Sequence, residues 1–102
     1  MSCYVLVALT STASDWQGAY GPPVMNLVER EGGRYLARTA DFERLEGDDL
    51  KPGVWVIVEF PDRAAAMRFY ESPEYEPLRR SRQAGSFGTV DVVNGRDDFA
   101  PT

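Results

Sequence analysis

Two short segments of the sequence are apolar on both of their alternating faces. They are CYVLVAL, residues 3–9, and VWVIVEF, residues 54–60. Both are rich in β-branched and aromatic residues and are bounded by turn-forming residues, a pattern that predicts β-strands. A strand of an antiparallel sheet usually buries one face and exposes the other. These two segments therefore predict a sheet that is covered on both sides.

The first half of the chain predicts a strand, a helix and a second strand. Pro22 suits the first turn of the main helix, which follows a short turn, and Gly32 supplies its C-terminal cap. RYLAR, residues 34–38, predicts the second strand. Because side chains alternate along a strand, Arg34 and Arg38 are expected on one face of it.

The second half repeats the pattern after the second apolar strand. Asp62 caps an alanine-rich helix, Ser72 starts a shorter one, and residues 89–93 predict the last strand. The order is β-α-β-β-α-β. We therefore predict an α+β, ferredoxin-like sandwich with an antiparallel four-stranded sheet, spanning residues 1–96 and followed by a polar tail over residues 97–102.

The predicted layers leave one face of the sheet open. Both helices pack on the same side, and no segment remains to cover the other side. An exposed apolar face usually marks an interface, and a second copy stacked sheet to sheet would cover it with two-fold symmetry. We therefore expect a homodimer in which two sheets form an α/β barrel.

The composition excludes several classes of function. The chain has 11 basic and 16 acidic residues and a net charge of −5, whereas binding to nucleic acid needs a basic surface. The same charge argues against an anionic membrane surface. There is no histidine, which removes the commonest general base and most zinc sites. We expect no nucleic-acid partner, no membrane partner, no metal and no cofactor.

The single cysteine and the apolar runs predict the cellular compartment of the protein. Cys3 cannot form an internal disulfide, which fits a reducing compartment. The apolar run over residues 3–9 is too short to span a bilayer and has no basic segment before it. These features predict a soluble, cytoplasmic protein.

Glu59 shares a strand face with Trp55 and Ile57, the face expected to enter the dimer interior. A carboxylate there must be paired or must keep its proton, because desolvation disfavours the charged form. It is either a general acid or base or a strand-end glutamate paired with an arginine. Arg38, expected nearby, is either a clamp for a substrate carboxylate or enolate or the other half of that ion pair.

FYESPEYEPLRRSR, residues 69–82, concentrates aromatic rings and arginines. Tyr75 and Arg82 share one helix face by their spacing, and Tyr70 and Ser72 lie just before it. The stretch is either a solvated basic face with its rings packed inward or the mouth of a pocket lined by hydroxyls and a cation.

Trp16 and Tyr20 lie one turn apart at the disturbed start of the first helix, where they would form either a lid or part of the core. The expected ligand-binding residues are accordingly Trp16, Tyr20, Trp55, Tyr70, Ser72, Tyr75 and Arg82.

The motifs GGRYLAR, LEG and VIVEFPDRAAAMRFYESPEY, with Arg82 after them, resemble a bacterial family of domains of unknown function, number 1330. The likeness covers roughly residues 4–95. It implies a dimeric α/β barrel within a superfamily that includes cofactor-free monooxygenases, lactone isomerases and small dehydratases. The chain departs from the family pattern at Thr39, Ala40 and Leu50, near the expected pocket entrance, which suggests a specialised substrate.

We therefore predict a small-molecule-binding protein, a cofactor-independent enzyme acting by proton transfer on a small anionic or aromatic metabolite. Its reaction would be of the isomerase, dehydratase, cyclase or monooxygenase type. Glu59 would be the acid or base, while Arg38 and Arg82 would hold developing negative charge. The alternative is a non-catalytic binding or accessory module of a metabolic pathway.

Overall fold

The computed structural model describes residues 1–101 and contains a four-stranded antiparallel sheet with helices on one side. The elements along the chain are β1 (Cys3–Ser11), α1 (Gln17–Arg30), β2 (Arg34–Thr39), β3 (Val54–Phe60), α2 (Arg63–Tyr70), α3 (Glu76–Ala84) and β4 (Ser86–Asn94). The strand order is β2-β3-β1-β4. This order confirms the ferredoxin-like fold, with the second helical segment divided into α2 and α3.

The helix-covered face of the sheet carries the core. Val5 and Val58 are paired across β1 and β3, and both are buried beneath the helices. Phe60 is fully buried and stacks on Phe69 of α2, with ring centroids 5.7 Å apart. Burial of such side chains contributes about 1.5–3 kcal/mol each, so this face provides the main stabilisation of the chain.

Helix α1 begins earlier than the sequence indicated. It starts at Gln17, and both Pro22 and Pro23 lie inside it. A proline inside a helix removes the N–H that would bond the carbonyl four residues earlier. The affected carbonyls belong to Gly18 and Ala19, which are exposed, so water can take the place of the missing donors. The helix therefore continues through the two prolines.

Two of the predicted caps are confirmed. The Asp62 carboxylate accepts a hydrogen bond from the Ala65 backbone N–H at 2.8 Å, which satisfies a donor in the first turn of α2. Gly32 ends α1 with φ of +78°, a backbone conformation that favours glycine, and its N–H donates to the Glu29 carbonyl at 2.9 Å.

Strand β2 contains a bulge, because its register against β3 shifts between Tyr35 and Ala37. Arg34 lies opposite Glu59, whereas Arg38 lies opposite Val56. An extra residue in one strand reverses the alternation of side chains beyond it. The expectation that Arg34 and Arg38 share a face is therefore wrong: Arg34 lies on the open face and Arg38 on the helix-covered face.

The open face of the sheet is apolar at its centre and lacks a covering layer within residues 1–101. Leu6 pairs with Ile57 and Ala8 with Trp55 on this face, and all four side chains are only partly buried. Val93 on β4 remains 42% exposed. None of the helices in the described residues is both long and apolar enough to cross a bilayer.

Candidate functional site

A cavity of about 150 Å³ lies between the sheet and the helices. Its floor is built from valines on the covered face of the strands, including Val7, Val56 and Val90. Its roof consists of aromatic rings from the helices and of Val24 from α1. The alternating pattern of the apolar strands thus creates a mostly hydrophobic chamber, into which a few polar groups project.

Two tyrosines and an arginine form the polar end of this cavity. Tyr20 of α1 and Tyr75, just before α3, have their hydroxyl oxygens 2.8 Å apart, within hydrogen-bond distance. Arg82 of α3 lines the same cavity and is only 7% exposed. Burial, reinforced by the neighbouring Tyr75, raises the pKa of Tyr20 far above its ordinary value. Tyr20 therefore stays neutral at physiological pH.

The buried guanidinium of Arg82 is stabilised by phenols instead of by a carboxylate. Burial alone would lower the pKa of Arg82, but the adjacent Tyr75 and Tyr20 oxygens offset this effect and keep the pKa above its ordinary value. Within residues 1–101, none of the salt bridges includes Arg82. A buried cation without an acidic partner is costly for a protein, and an anionic ligand would compensate it.

Arg38 and Tyr35 of β2 also line the cavity. The Arg38 guanidinium carbon lies 4.4 Å from the centre of the Tyr35 ring, a cation–π contact. Arg38 is the lining residue that is exposed to solvent. It therefore marks the mouth of the cavity, whereas Arg82 lies in its interior.

Two of the expected ligand-binding residues support the site without lining the cavity. Ser72 is buried, and its hydroxyl accepts a hydrogen bond from the Tyr75 backbone N–H at 3.2 Å, which fixes the turn before α3. The Trp16 indole N–H donates to the Gly85 carbonyl at 3.0 Å, and its ring packs edge-on against Tyr20 at 5.2 Å. Both residues hold the two tyrosines in position.

Tyr70 lines the cavity as the sequence suggested. The Arg79 guanidinium lies 5.2 Å from the centre of its ring, and Arg79 also donates to the Tyr70 carbonyl at 3.3 Å. These contacts fix the break between α2 and α3, where Tyr70 ends the first of the two helices. Tyr70 therefore presents a positioned ring to the cavity.

Glu59 and Trp55 lie on the opposite, open face of the sheet. Glu59 accepts a hydrogen bond from the Arg34 guanidinium at 2.8 Å, and this contact, with a smaller one from Ser2, lowers the pKa of its carboxyl. Trp55 packs edge-on against Phe42 at 6.2 Å. The expected proximity of Glu59 and Arg38 is therefore wrong, because the bulge in β2 separates them by the thickness of the sheet.

Tyr35 is a cavity residue that the sequence reasoning missed. Strict alternation placed it on the face opposite to Arg38, and only the bulge brings the two together.

Metal chemistry has no ligand set in the described part of the chain. Across residues 1–101, no group of three or more Asp, Glu, Cys or His side chains is placed to hold a metal ion. The cavity lining contains tyrosine hydroxyls and guanidinium groups as its polar side chains. Guanidinium groups only donate hydrogen bonds, so this lining suits an anion.

These features define a ferredoxin-like α+β protein with a ring-sized cavity between sheet and helices. The family model described as "Domain of unknown function (DUF1330)" matches residues 2–96. The chain belongs to this family, as its motifs indicated. None of the curated proteins matches it in sequence.

Solved structures share the fold at low sequence identity. RPA0582, a protein of unknown function from Rhodopseudomonas palustris, is similar with a TM-score of 0.75 at 20% identity, over 94% of this chain and 83% of that one. SnoaB, a cofactor-independent oxygenase from Streptomyces nogalater, has a TM-score of 0.64 at 16% identity over 98% of both chains. An antibiotic biosynthesis monooxygenase has a TM-score of 0.50 at 23% identity, over 95% and 100%.

Proposed function

We propose that the protein binds a small metabolite through an ionised oxygen in this cavity and acts on it without a cofactor. The observation that carries the proposal is Arg82, a cation that is 7% exposed and has no carboxylate partner within residues 1–101. An enolate or phenolate placed beside it would gain charge-assisted hydrogen bonds from the guanidinium. Because Arg82 would stabilise the anionic form of the ligand, it would favour reactions that pass through that anion.

The size of the cavity limits the ligand. A cavity of about 150 Å³ resembles in volume the engineered apolar cavities that bind benzene. The valine floor and aromatic roof suit a planar, apolar body, and the polar end suits one acidic oxygen. The ligand class that fits is therefore a single aromatic or enolised ring.

Proton transfer is the reaction type that the site supports. Arg82 would lower the pKa of an acidic carbon or hydroxyl of the ligand, because it stabilises the anion. Glu59 lies on the open face, so the proton would leave to solvent water, while the neutral Tyr75 and Tyr20 hydroxyl pair would hold the resulting anion by donating a hydrogen bond. Isomerisation, dehydration, cyclisation and oxygenation all begin from such an anion, and SnoaB is named as a cofactor-independent oxygenase.

A non-catalytic binding module is the second candidate. The observation that favours it is that the lining contains neither a carboxylate nor an imidazole, the usual general bases. Such a module would hold the anion of a metabolite without converting it. Turnover of a bound ligand separates the two candidates.

We also propose that the protein is a homodimer through the open face of the sheet. The partly exposed side chains Leu6, Ile57 and Trp55 form the centre of that face, and apolar surface of this extent favours association. Cys3 is free and buried, which is compatible with the proposed reducing cytoplasm.

The proposal predicts that the cavity binds 4-nitrophenol as its coloured phenolate. Titration of the bound dye should give an apparent pKa below that of the free dye, because Arg82 favours the anion. In Arg82→Met the shift should disappear. Arg80→Gln is the matched control, because Arg80 is an exposed arginine of the same helix.

Three results of this titration would decide the matter. An unchanged dye pKa in the presence of wild-type protein would contradict the proposed function. An equal shift with wild type and Arg82→Met would remove Arg82 from the site. A shift that is lost only in Arg82→Met would support the proposal, and a panel of ring-sized enolisable ketones could then be assayed for turnover.

A further inference from the structure

The cavity combines two positive charges with no negative one. The charged residues in its lining are Arg38 and Arg82, although the chain as a whole has a net charge of −5. Neither arginine takes part in a salt bridge within residues 1–101. The proposed function uses one of these cations for an ionised oxygen. The second cation remains without an assigned partner.

The bulge in β2 determines which arginine reaches the cavity. If every residue from Arg34 to Arg38 alternated regularly, with no bulge, Arg38 would lie on the open face beside Arg34. Bulges are over-represented near active sites, where they re-aim a side chain. The local distortion of an edge strand thus has a specific result, a guanidinium at the cavity mouth.

The contact with Tyr35 holds this guanidinium in a defined place. Arg38 lies over the face of the Tyr35 ring at 4.4 Å. The guanidinium carries five N–H donors, and their fork geometry can bind a carboxylate with two hydrogen bonds.

The two arginines approach the cavity from opposite sides. Arg38 belongs to β2, at one edge of the sheet. Arg82 belongs to α3 and accepts the Ser86 hydroxyl through its carbonyl, next to β4 at the other edge. The two guanidinium groups therefore reach the cavity from different layers of the fold, one from the edge strand β2 and one from helix α3.

We propose that the ligand is a ring-sized acid whose carboxylate binds Arg38 at the mouth while its ionised oxygen lies at Arg82. This inference rests on the proposed function and narrows the substrate class to compounds with two anionic groups at opposite ends of an apolar ring. The Arg38 site would select for the carboxylate, and the Arg82 site would stabilise the reacting oxygen.

The test compares 4-hydroxybenzoate with 4-hydroxybenzamide by isothermal titration calorimetry. The two compounds have nearly the same shape and differ in the charge at the mouth. Hydrogen bonds to charged groups are stronger than those between neutral groups. At an exposed mouth we expect wild type to bind the acid about tenfold more tightly than the amide.

Variants on a single strand provide the controls. In Arg38→Gln the preference for the acid should fall to about one, while binding of the amide stays unchanged. Arg38→Lys should restore part of the preference, because it keeps the charge and loses the fork. Arg34→Gln is the matched control, since Arg34 lies on the same strand but on the open face, and it should keep the full preference.

The outcomes separate this inference from the function on which it rests. Equal binding of acid and amide to wild type, or a preference that survives in Arg38→Gln, would overturn the carboxylate site and leave the Arg82 site standing. Failure of both compounds to bind wild type would overturn the proposed function and this inference together. Loss of the preference in Arg38→Gln alone supports the assignment.

Discussion

The two faces of the sheet differ in whether their arginines are paired with a carboxylate. Strand β2 supplies one arginine to each face. On the open face Arg34 pairs with Glu59 at 2.8 Å, so the charges compensate each other within the chain. On the covered face Arg38 and Arg82 line a cavity without a carboxylate. Charges are therefore neutralised within the chain on the open face, whereas the two cavity arginines have no carboxylate partner among residues 1–101.

The faces also differ in how completely they are packed. The covered face buries Phe60 and Val58 almost fully, yet it leaves a cavity of about 150 Å³. The open face carries a wider groove beside Trp55 and Leu50, and its central side chains remain partly exposed. The covered face thus contains an enclosed cavity, whereas the open face presents apolar side chains to its surroundings.

The largest expected effect concerns the open face and its proposed partner. Ile57→Asp places a charge at the centre of that face, and a desolvated unpaired carboxylate is strongly unfavourable. We expect the dimer to dissociate at least about a hundredfold more readily, as measured by analytical ultracentrifugation. Ala64→Asp, on an exposed position of α2, is the control and should leave the association unchanged.

A wild-type protein that sediments as a monomer at all accessible concentrations would refute the assignment of the open face. A dimer that survives Ile57→Asp would place the interface elsewhere. Neither result would affect the proposals for the cavity on the covered face, which are tested separately.

An intermediate effect is expected at alkaline pH and belongs to the covered face. The pKa of Tyr20 is raised in the folded protein by burial and by Tyr75. Its contribution to stability is therefore complete below the ordinary tyrosine pKa of about 10 and is lost as pH rises above it. Urea unfolding of wild type and Tyr20→Phe between pH 8 and pH 11 should show a steeper loss in wild type, by about 1.4 kcal/mol per pH unit above pH 10.

Parallel curves for the two proteins would mean that Tyr20 ionises as freely in the folded chain as in the unfolded one. At neutral pH Tyr20→Phe should cost about 1 kcal/mol, because the Tyr75 hydroxyl loses its partner.

The smallest expected effect is at acidic pH and belongs to the open face. Arg34 lowers the pKa of Glu59 in the folded state. The contribution of the pair is therefore present above the ordinary glutamate pKa and is lost as pH falls through the lowered value. Glu59→Gln should unfold at slightly lower urea concentration than wild type at pH 7, and the difference should shrink as pH falls below the ordinary glutamate pKa of about 4.3.

Glu43→Gln controls for the loss of a charge, since Glu43 is exposed and makes no salt bridge in the described chain. A Glu59→Gln difference that persists unchanged at pH 3 would show that packing, and not ionisation, accounts for it.

The fold followed from local patterns in the sequence. The strand over residues 54–60 matches β3 in both bounds, because the apolar run and the flanking Gly53 and Pro61 leave little freedom. Asp62 and Gly32 fulfil their predicted roles, since capping depends on a few neighbouring backbone groups. Features that are determined by adjacent residues could therefore be predicted from the sequence.

The site was only partly accessible, because it depends on contacts between distant elements. Four of the predicted ligand-binding residues line the cavity, in agreement with their spacing in the sequence: Tyr20, Tyr70, Tyr75 and Arg82. Whether Glu59 and Arg38 lie on the same face of the sheet depends on the register of β2 against β3. No residue near Leu36 indicates the bulge that sets this register. Ser72 was predicted to bind ligand through its hydroxyl, but that hydroxyl accepts a hydrogen bond from the Tyr75 backbone N–H.

The bulge in β2 also makes the charge of the cavity depend on strand register and not on composition. Regular alternation of every residue from Arg34 through Arg38 would turn Arg38 to the open face and leave Arg82 as the arginine of the cavity lining, although neither residue would change. Relatives with and without such a bulge could therefore bind different ligands, a difference that a count of substitutions would overlook. Two chains with the same arginines in the same order could select different molecules.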